Sequence, residues 1–233
     1  MATVCEVEQS LFAWAPRESA MDWDNVGHLV GDPEQEVEHI LVALDITERV
    51  VQEAIDCGAQ LIVSHHPLMN VRWHEKEMQT LRPDRYLGHL LREMQTLRPD
   101  TRLGGVLTTL VKNDISAICM HTNLDAADGG VNDCLAKKLG LNDILLLNDE
   151  KIGRIGTLSC EKGLEEFLRD VIELLGCGGL RYCRGSGRVY RVAVGGGACG
   201  EYIPQAIAQG CDTFVTSDLR YNDFLDTRGL NLI

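Results

Sequence analysis

Two adjacent imidazoles are the first residues in this sequence that suggest chemistry. Ser64-His65-His66-Pro67 follows the apolar run 61–64 (LIVS). Successive side chains of a strand alternate faces, so the two histidines cannot both enter one core. Pro67 drives His66 toward an extended conformation. The pair is therefore expected in a loop at a strand tip, its two rings fanned apart. That arrangement suits two ligands for one metal ion, or one ligand for each of two; the alternative is a pair of ordinary polar loop residues. A second apolar run, 115–120, leads into His121-Thr122-Asn123-Leu124-Asp125. Imidazoles with a carboxylate are the ligand set of hydrolytic zinc, manganese or iron sites. Asp125 is the better ligand candidate here. His121 can serve as a ligand, as an orienting partner or as a proton-transfer group. The competing role for Asp125 is to cap the turn 126–130.

Two further stretches carry weaker signals. Trp23-Asp24-Asn25-Val26-Gly27, followed by Gly31-Asp32-Pro33, reads as a loop before the first strand, rich in residues that bond their own backbone. Gly195-Gly196-Gly197-Ala198-Cys199-Gly200 satisfies G-x-G-x-x-G between a strand and a helix, with Asp218 further on. Three readings stay open for it: a dinucleotide fingerprint, an anion site at a helix N-terminus, or a plain tight turn.

The elements that must position these groups alternate between strand and helix. Residues 39–44 (HILVAL) read as a strand buried on both faces. Thr47 caps a helix over 48–57, Gly58 ends it, and 61–64 returns as a strand. Such a unit implies a parallel sheet with a crossover connection. A helix is expected over 86–94, a strand over 115–120, and a helix over 133–139 capped by Asn132 and closed by Gly140. The second half repeats the theme with a strand at 191–194, a helix at 201–209 and a strand at 213–216. At one constant offset Ala54-Ile55, Gly58, Val63 and Ser64 align with Ala206-Ile207, Gly210, Val215 and Thr216. Convergent patterning and two related lobes both explain that alignment. If the lobes are related, His65-His66 and Ser217-Asp218 occupy equivalent places. A different repeat, EMQTLRPD at 77–84 and again at 93–100, reads as a tandem insertion without chemistry.

The chain has 233 residues and a formal charge of −13, which disfavours nucleic-acid and anionic-membrane surfaces. Nine cysteines at irregular spacing, with no Cys-x-x-Cys pair, read as reduced thiols of a cytoplasmic protein. No signal peptide or membrane span is apparent.

Taken together, DNVGHLVG (24–31), LVALDITERVVQEAI (41–55), LIVSHHPL (61–68), HTNLDAADGGVNDCLAKKLGL (121–141) and TSDLRY (216–221) resemble the GTP cyclohydrolase 1 type 2 homologues, also called the NGG-interacting factor 3-like family. The resemblance implies an α/β protein of two related lobes with mostly parallel or mixed sheets, and a two-metal cleft between the lobes. It also implies assembly as a homohexamer. The lobes are expected at 1–127 and 128–233. The family's first-lobe metal ligands fall on His65, His66 and Asp125. Two departures stand out. The family's C-terminal Gly-His-x-x-x-Glu has no counterpart before the final Leu230-Asn231-Leu232-Ile233, so the sequence is expected to be a fragment cut before those ligands. Tyr221-Asn222 also stands where relatives carry Tyr-His, and Asn222 cannot serve there as a base.

The leading expectation is a metal-dependent hydrolase of cyclohydrolase or amidohydrolase type. It would use two divalent cations, zinc, manganese or iron, to activate water and stabilise developing negative charge. His65, His66 and Asp125 would hold the metal and His121 would act in catalysis. The substrate is expected to be a small molecule, a nucleotide if the glycine loop steers an anion. Two alternatives stand beside it: a metal-binding regulatory or delivery protein without turnover that uses the same ligands, and a dinucleotide-dependent oxidoreductase built on the glycine loop.

Overall fold

A computed structural model describes residues 1–69, 98–225 and 227–233. The expected helix 86–94, the first EMQTLRPD copy and most of the second fall outside these residues. The chain divides into two compact units, Met1–Leu124 and Asp125–Ile233.

The first unit opens with β1 (Ala2–Thr3) and α1 (Val4–Trp14), whose N-terminus is closed by a reciprocal bond between Thr3 and Glu6. There follow β2 (Gly27–Val30), β3 (Glu36–Val37), β4 (Ile40–Ala43), α2 (Glu48–Asp56), β5 (Leu61–Ser64), α3 (Arg102–Lys112) and β6 (Ser116–Cys119). Among the described residues the main sheet has the order β2-β6-β5-β4. β4, β5 and β6 are parallel and β2 joins antiparallel. The Thr47 side chain accepts from Val50 N, so the expected cap is in place. α2 and α3 bury Val51, Ala54, Val106 and Leu110 against Ile62 and Ala117 of the sheet.

β4 departs from expectation. Among the described residues it ends the order, and its alternate side chains Ile40 and Val42 are exposed, Val42 at 76%. A continuous apolar run does not distinguish a central strand from an edge strand with one open face.

The second unit begins within the short helix α4 (Thr122–Ala126). It continues with α5 (Val131–Lys138), β7 (Asn142–Leu146), β8 (Arg154–Gly163), α6 (Leu164–Leu175), β9 (Arg188–Val194), α7 (Ile203–Ala208), β10 (Thr213–Val215) and β11 (Asn231–Leu232). Its sheet runs β11-β10-β9-β8-β7, parallel from β9 to β11 and antiparallel across β7, β8 and β9. Leu164, Phe167, Leu168 and Val171 on one face of α6 fill its core. The fold is thus α/β with mixed sheets.

Two helix boundaries differ from expectation. α5 is capped by Gly130, not Asn132, which lies inside the helix and is fully buried. The helix expected over 201–209 splits into a three-residue 3₁₀ turn, Gly200–Tyr202, and α7, because Pro204 sets a new helix start. Among the described residues no helix is long and apolar enough to cross a membrane, and all nine cysteines are free thiols.

Candidate metal centre

The first-unit sheet carries its backbone pairing beyond the strands and into the histidine pair. His65 N donates to Ala43 O at 3.2 Å and His66 N to Leu44 O at 2.9 Å, while Met120 N donates to Ser64 O at 2.8 Å. The carboxyl ends of three parallel strands therefore hold His65, His66 and His121 side by side. The ring centroids stand 5.1 Å apart for His65 and His66, 5.2 Å for His65 and His121, and 5.6 Å for His66 and His121. One ligand nitrogen from each ring lies within 4.8 Å of the other two.

Each ring is oriented through Nδ1. That of His65 lies 2.9 Å from Met120 O, that of His66 2.8 Å from Asp45 Oδ1, and that of His121 2.9 Å from Asp24 Oδ1. A carbonyl or carboxylate oxygen only accepts, so each Nδ1 donates, and in a neutral ring Nε2 is then the nitrogen that can ligate. This is the outer arrangement that metal-binding histidines use. Burial pushes the His65 imidazole below its ordinary value, against the pull of the Met120 carbonyl, so the ring is neutral at pH 7.

The spacing fits a metal. Two nitrogens on one ion at about 2.1 Å stand roughly 3.4 Å apart in tetrahedral geometry, and paired ions stand about 3.5–4 Å apart. Ligand nitrogens within 4.8 Å of one another reach either arrangement by small rotations. Cys119, whose Sγ donates to His65 O at 3.2 Å, is not one of the side chains whose ligand atoms gather within 4.8 Å, and burial pushes its thiol far up.

Asp24 is the residue that sequence reasoning left in a loop. Its side chain is fully buried. Oδ1 faces His121 and accepts from Asn25 N, and Oδ2 accepts from Thr122 N at 2.9 Å and Thr122 Oγ1 at 2.5 Å. Burial pushes the carboxyl up, but the bonds from His121 and Thr122 outweigh it and hold the group at about 2. A carboxyl depressed from about 3.9 in the unfolded chain stabilises the fold above that value, and the contribution fades as pH falls through 2. Asp24→Asn is therefore expected to lower stability at pH 7 by about 2 kcal/mol. Its deficit should shrink as pH drops from 4 to 2. Urea denaturation of both proteins across that range checks this; a deficit that stays constant would refute it.

The other expected site residues lie in the second unit. Asp125 is buried, and its backbone carbonyl accepts from Asn132 Nδ2 at 3.0 Å. The glycine loop is engaged within the fold. Gly195 N donates to Val215 O, Gly196 N to Asn132 Oδ1 and Cys199 N to Thr216 Oγ1. These three of the loop's six amides are thereby engaged, and the 3₁₀ turn and α7 that follow are too short for a helix-terminus anion site. The loop is thus tied to β10 and to the residue that follows it.

The match to known proteins covers both units. The family description Duf34/NIF3 (NGG1p interacting factor 3) matches residues 2–86 and 85–233. A GTP cyclohydrolase 1 type 2 homolog of Clostridium perfringens is 33% identical over 228 residues, covering 94% of this chain and 79% of that one. One from Streptomyces coelicolor is 34% identical over 242 aligned positions, covering 99% and 78%. Among solved structures, a hypothetical protein of Staphylococcus aureus superposes with a TM-score of 0.83 at 29% identity, over 99% of this chain and 84% of that one.

Proposed function

The chain belongs to the Duf34/NIF3 family, and on that premise we propose that it is a divalent-metal protein acting as a hydrolase on a small-molecule, nucleotide-type substrate. The observation that carries the reading is the triad itself: three neighbouring imidazoles with one ligand nitrogen of each within 4.8 Å of the others, and each Nδ1 tied to an oxygen acceptor. Such orientation suits ligation better than a chance cluster of polar loop residues.

In this reading His65 and His66 hold metal, Asp125 adds a carboxylate, and two ions are bound. A bound divalent ion lowers the pKa of water and stabilises negative charge developing on a substrate. His121, steadied by Asp24, moves the proton. The lobes are 1–127 and 128–233, and the active form is a cytoplasmic homohexamer, with neither nucleic acid nor membrane as a partner.

The protein reconstituted separately with zinc, manganese and iron should take up metal and hydrolyse at least one member of a nucleotide panel. Metal uptake without turnover across the panel would favour the regulatory or delivery role; no uptake of any of the three ions would end the metal reading.

A further inference from the structure

The turn that bears Asp24 also bears a tryptophan to which the metal reading gives no task. Asp24 N donates to Met21 O at 2.9 Å, closing a turn whose third residue is Trp23. Both ends of that turn are pinned to one residue. Met21 N donates to Thr122 Oγ1 at 2.9 Å, and Thr122 N donates to the Asp24 carboxylate. Asn25 Nδ2 donates to Met69 O at 2.8 Å and secures the outgoing chain. On this fixed backbone the Trp23 indole leaves 50% of its surface open. Its ring centroid lies 6.1 Å from that of His121, with the planes at 75°. An indole is a large, rigid apolar surface, and exposing it on an anchored turn forgoes stabilisation that burial would supply. A ligand plane laid against it recovers that stabilisation and comes to rest beside the imidazoles.

We propose that Trp23 is the stacking wall of the substrate site, receiving a planar heteroaromatic ring such as a nucleobase while the substrate's reacting group lies toward the three histidines. The inference rests on the reading of that triad as the reacting centre. It makes Trp23 a determinant of substrate class: a ligand with a flat ring is held in preference to a ring-free polyphosphate.

Metal-loaded full chain titrated with GTP, ATP and CTP, and with tripolyphosphate as a ring-free probe, tests this by calorimetry and tryptophan fluorescence. The nucleotides should bind and quench fluorescence, and tripolyphosphate should bind more weakly. Base–aromatic stacking is worth about 1–3 kcal/mol, so Trp23→Leu should weaken nucleotide binding by about tenfold to a hundredfold and remove the quench. Trp23→Phe should keep most of the affinity. Trp14→Leu, which changes the comparably exposed indole on α1 (52%), should leave binding unaltered. The proposal is overturned if none of the three nucleotides binds, if tripolyphosphate binds as tightly as GTP, or if Trp23→Leu binds like the parent. Metal content, measured in every variant, keeps the two readings apart. Normal metal uptake with unchanged nucleotide binding in Trp23→Leu refutes the wall alone. A chain that takes up no metal yet loses GTP binding in Trp23→Leu keeps the wall and refutes the metal reading.

Discussion

Arg154→Leu is expected to destabilise the second unit by about 3–5 kcal/mol, the range for breaking a buried charge pair from one side. Arg154 is only 2% exposed. A guanidinium has five N–H donors, and the fold gives each an acceptor. Nε pairs with Asp133 Oδ1; Nη1 reaches Lys151 O at 2.8 Å and Gly153 O at 3.0 Å; Nη2 reaches Ala126 O at 3.3 Å and Ala127 O at 3.2 Å. Leucine would leave a carboxylate and four carbonyls without these donors. Asp133 reports the same coupling. Burial raises its carboxyl, but the Gly129 amide and Arg154 bring it below the ordinary range. Arg154→Lys keeps the charge but lacks the planar fork, so it should lose less than leucine and still fall short of the parent. Urea denaturation, with hydrogen exchange read over 125–233, measures both variants. A loss under about 1 kcal/mol for leucine would show that water replaces the guanidinium without penalty.

The fold was legible wherever local pattern and turn chemistry agreed. Thr47 and Gly58 delimit α2 as expected. The offset that aligns the two halves extends to backbone detail: Gly58 and Gly210 adopt φ of +67° and +71°, Ala59 N reaches Ala54 O, and Cys211 N reaches Ala206 O. What local pattern does not encode is a strand's place in the sheet. The run 39–44 has the composition of a buried strand, yet β4 ends the order and leaves Ile40 and Val42 exposed. Asn132 has the residue type of a helix cap. Its side chain instead bridges Asp125 O and Gly196 N, partners that only tertiary folding brings to it.

The histidine cluster was legible in the sequence, and the side chains that orient it were not. His65-His66 and His121 each follow an apolar strand, and parallel strands deliver their tips to one edge. Asp24 and Asp45 were missed because an aspartate that orients a histidine has no local signature. Asp24 meets His121 across a sequence separation of 97 residues. Its neighbours in sequence, Asn25 and Gly27, give the loop signal that hid it. The glycine loop failed in the opposite way. Its spacing matches a fingerprint, but a fingerprint needs unengaged amides and a helix to follow, and neither condition is visible in a string of glycines.

His65→Ala and His66→Ala are each expected to weaken zinc binding by at least about a hundredfold, because each removes a ligand whose loss exceeds that of an orienting partner. Removing such a partner typically costs about tenfold to a hundredfold in affinity, and Asp24→Asn, which replaces the carboxylate acceptor of His121 Nδ1 by a weaker amide oxygen, should fall below that range if His121 is the proton carrier. His121→Ala separates the two roles open to the third ring. As the proton-transfer group it should leave metal content near that of the parent while abolishing turnover; as a ligand it should lose metal like the other two. Elemental analysis after dialysis, with competition against a chromophoric chelator, gives the affinities. Melting of each metal-free variant guards against a folding defect, which for His66 should be slight because both its ring and its partner Asp45 are partly open to solvent. Retention of full metal content by His65→Ala and His66→Ala alike would place the ions elsewhere. The oriented Nε2 groups would then be proton carriers, and the hydrolytic reading would have to do without metal at this edge of the sheet.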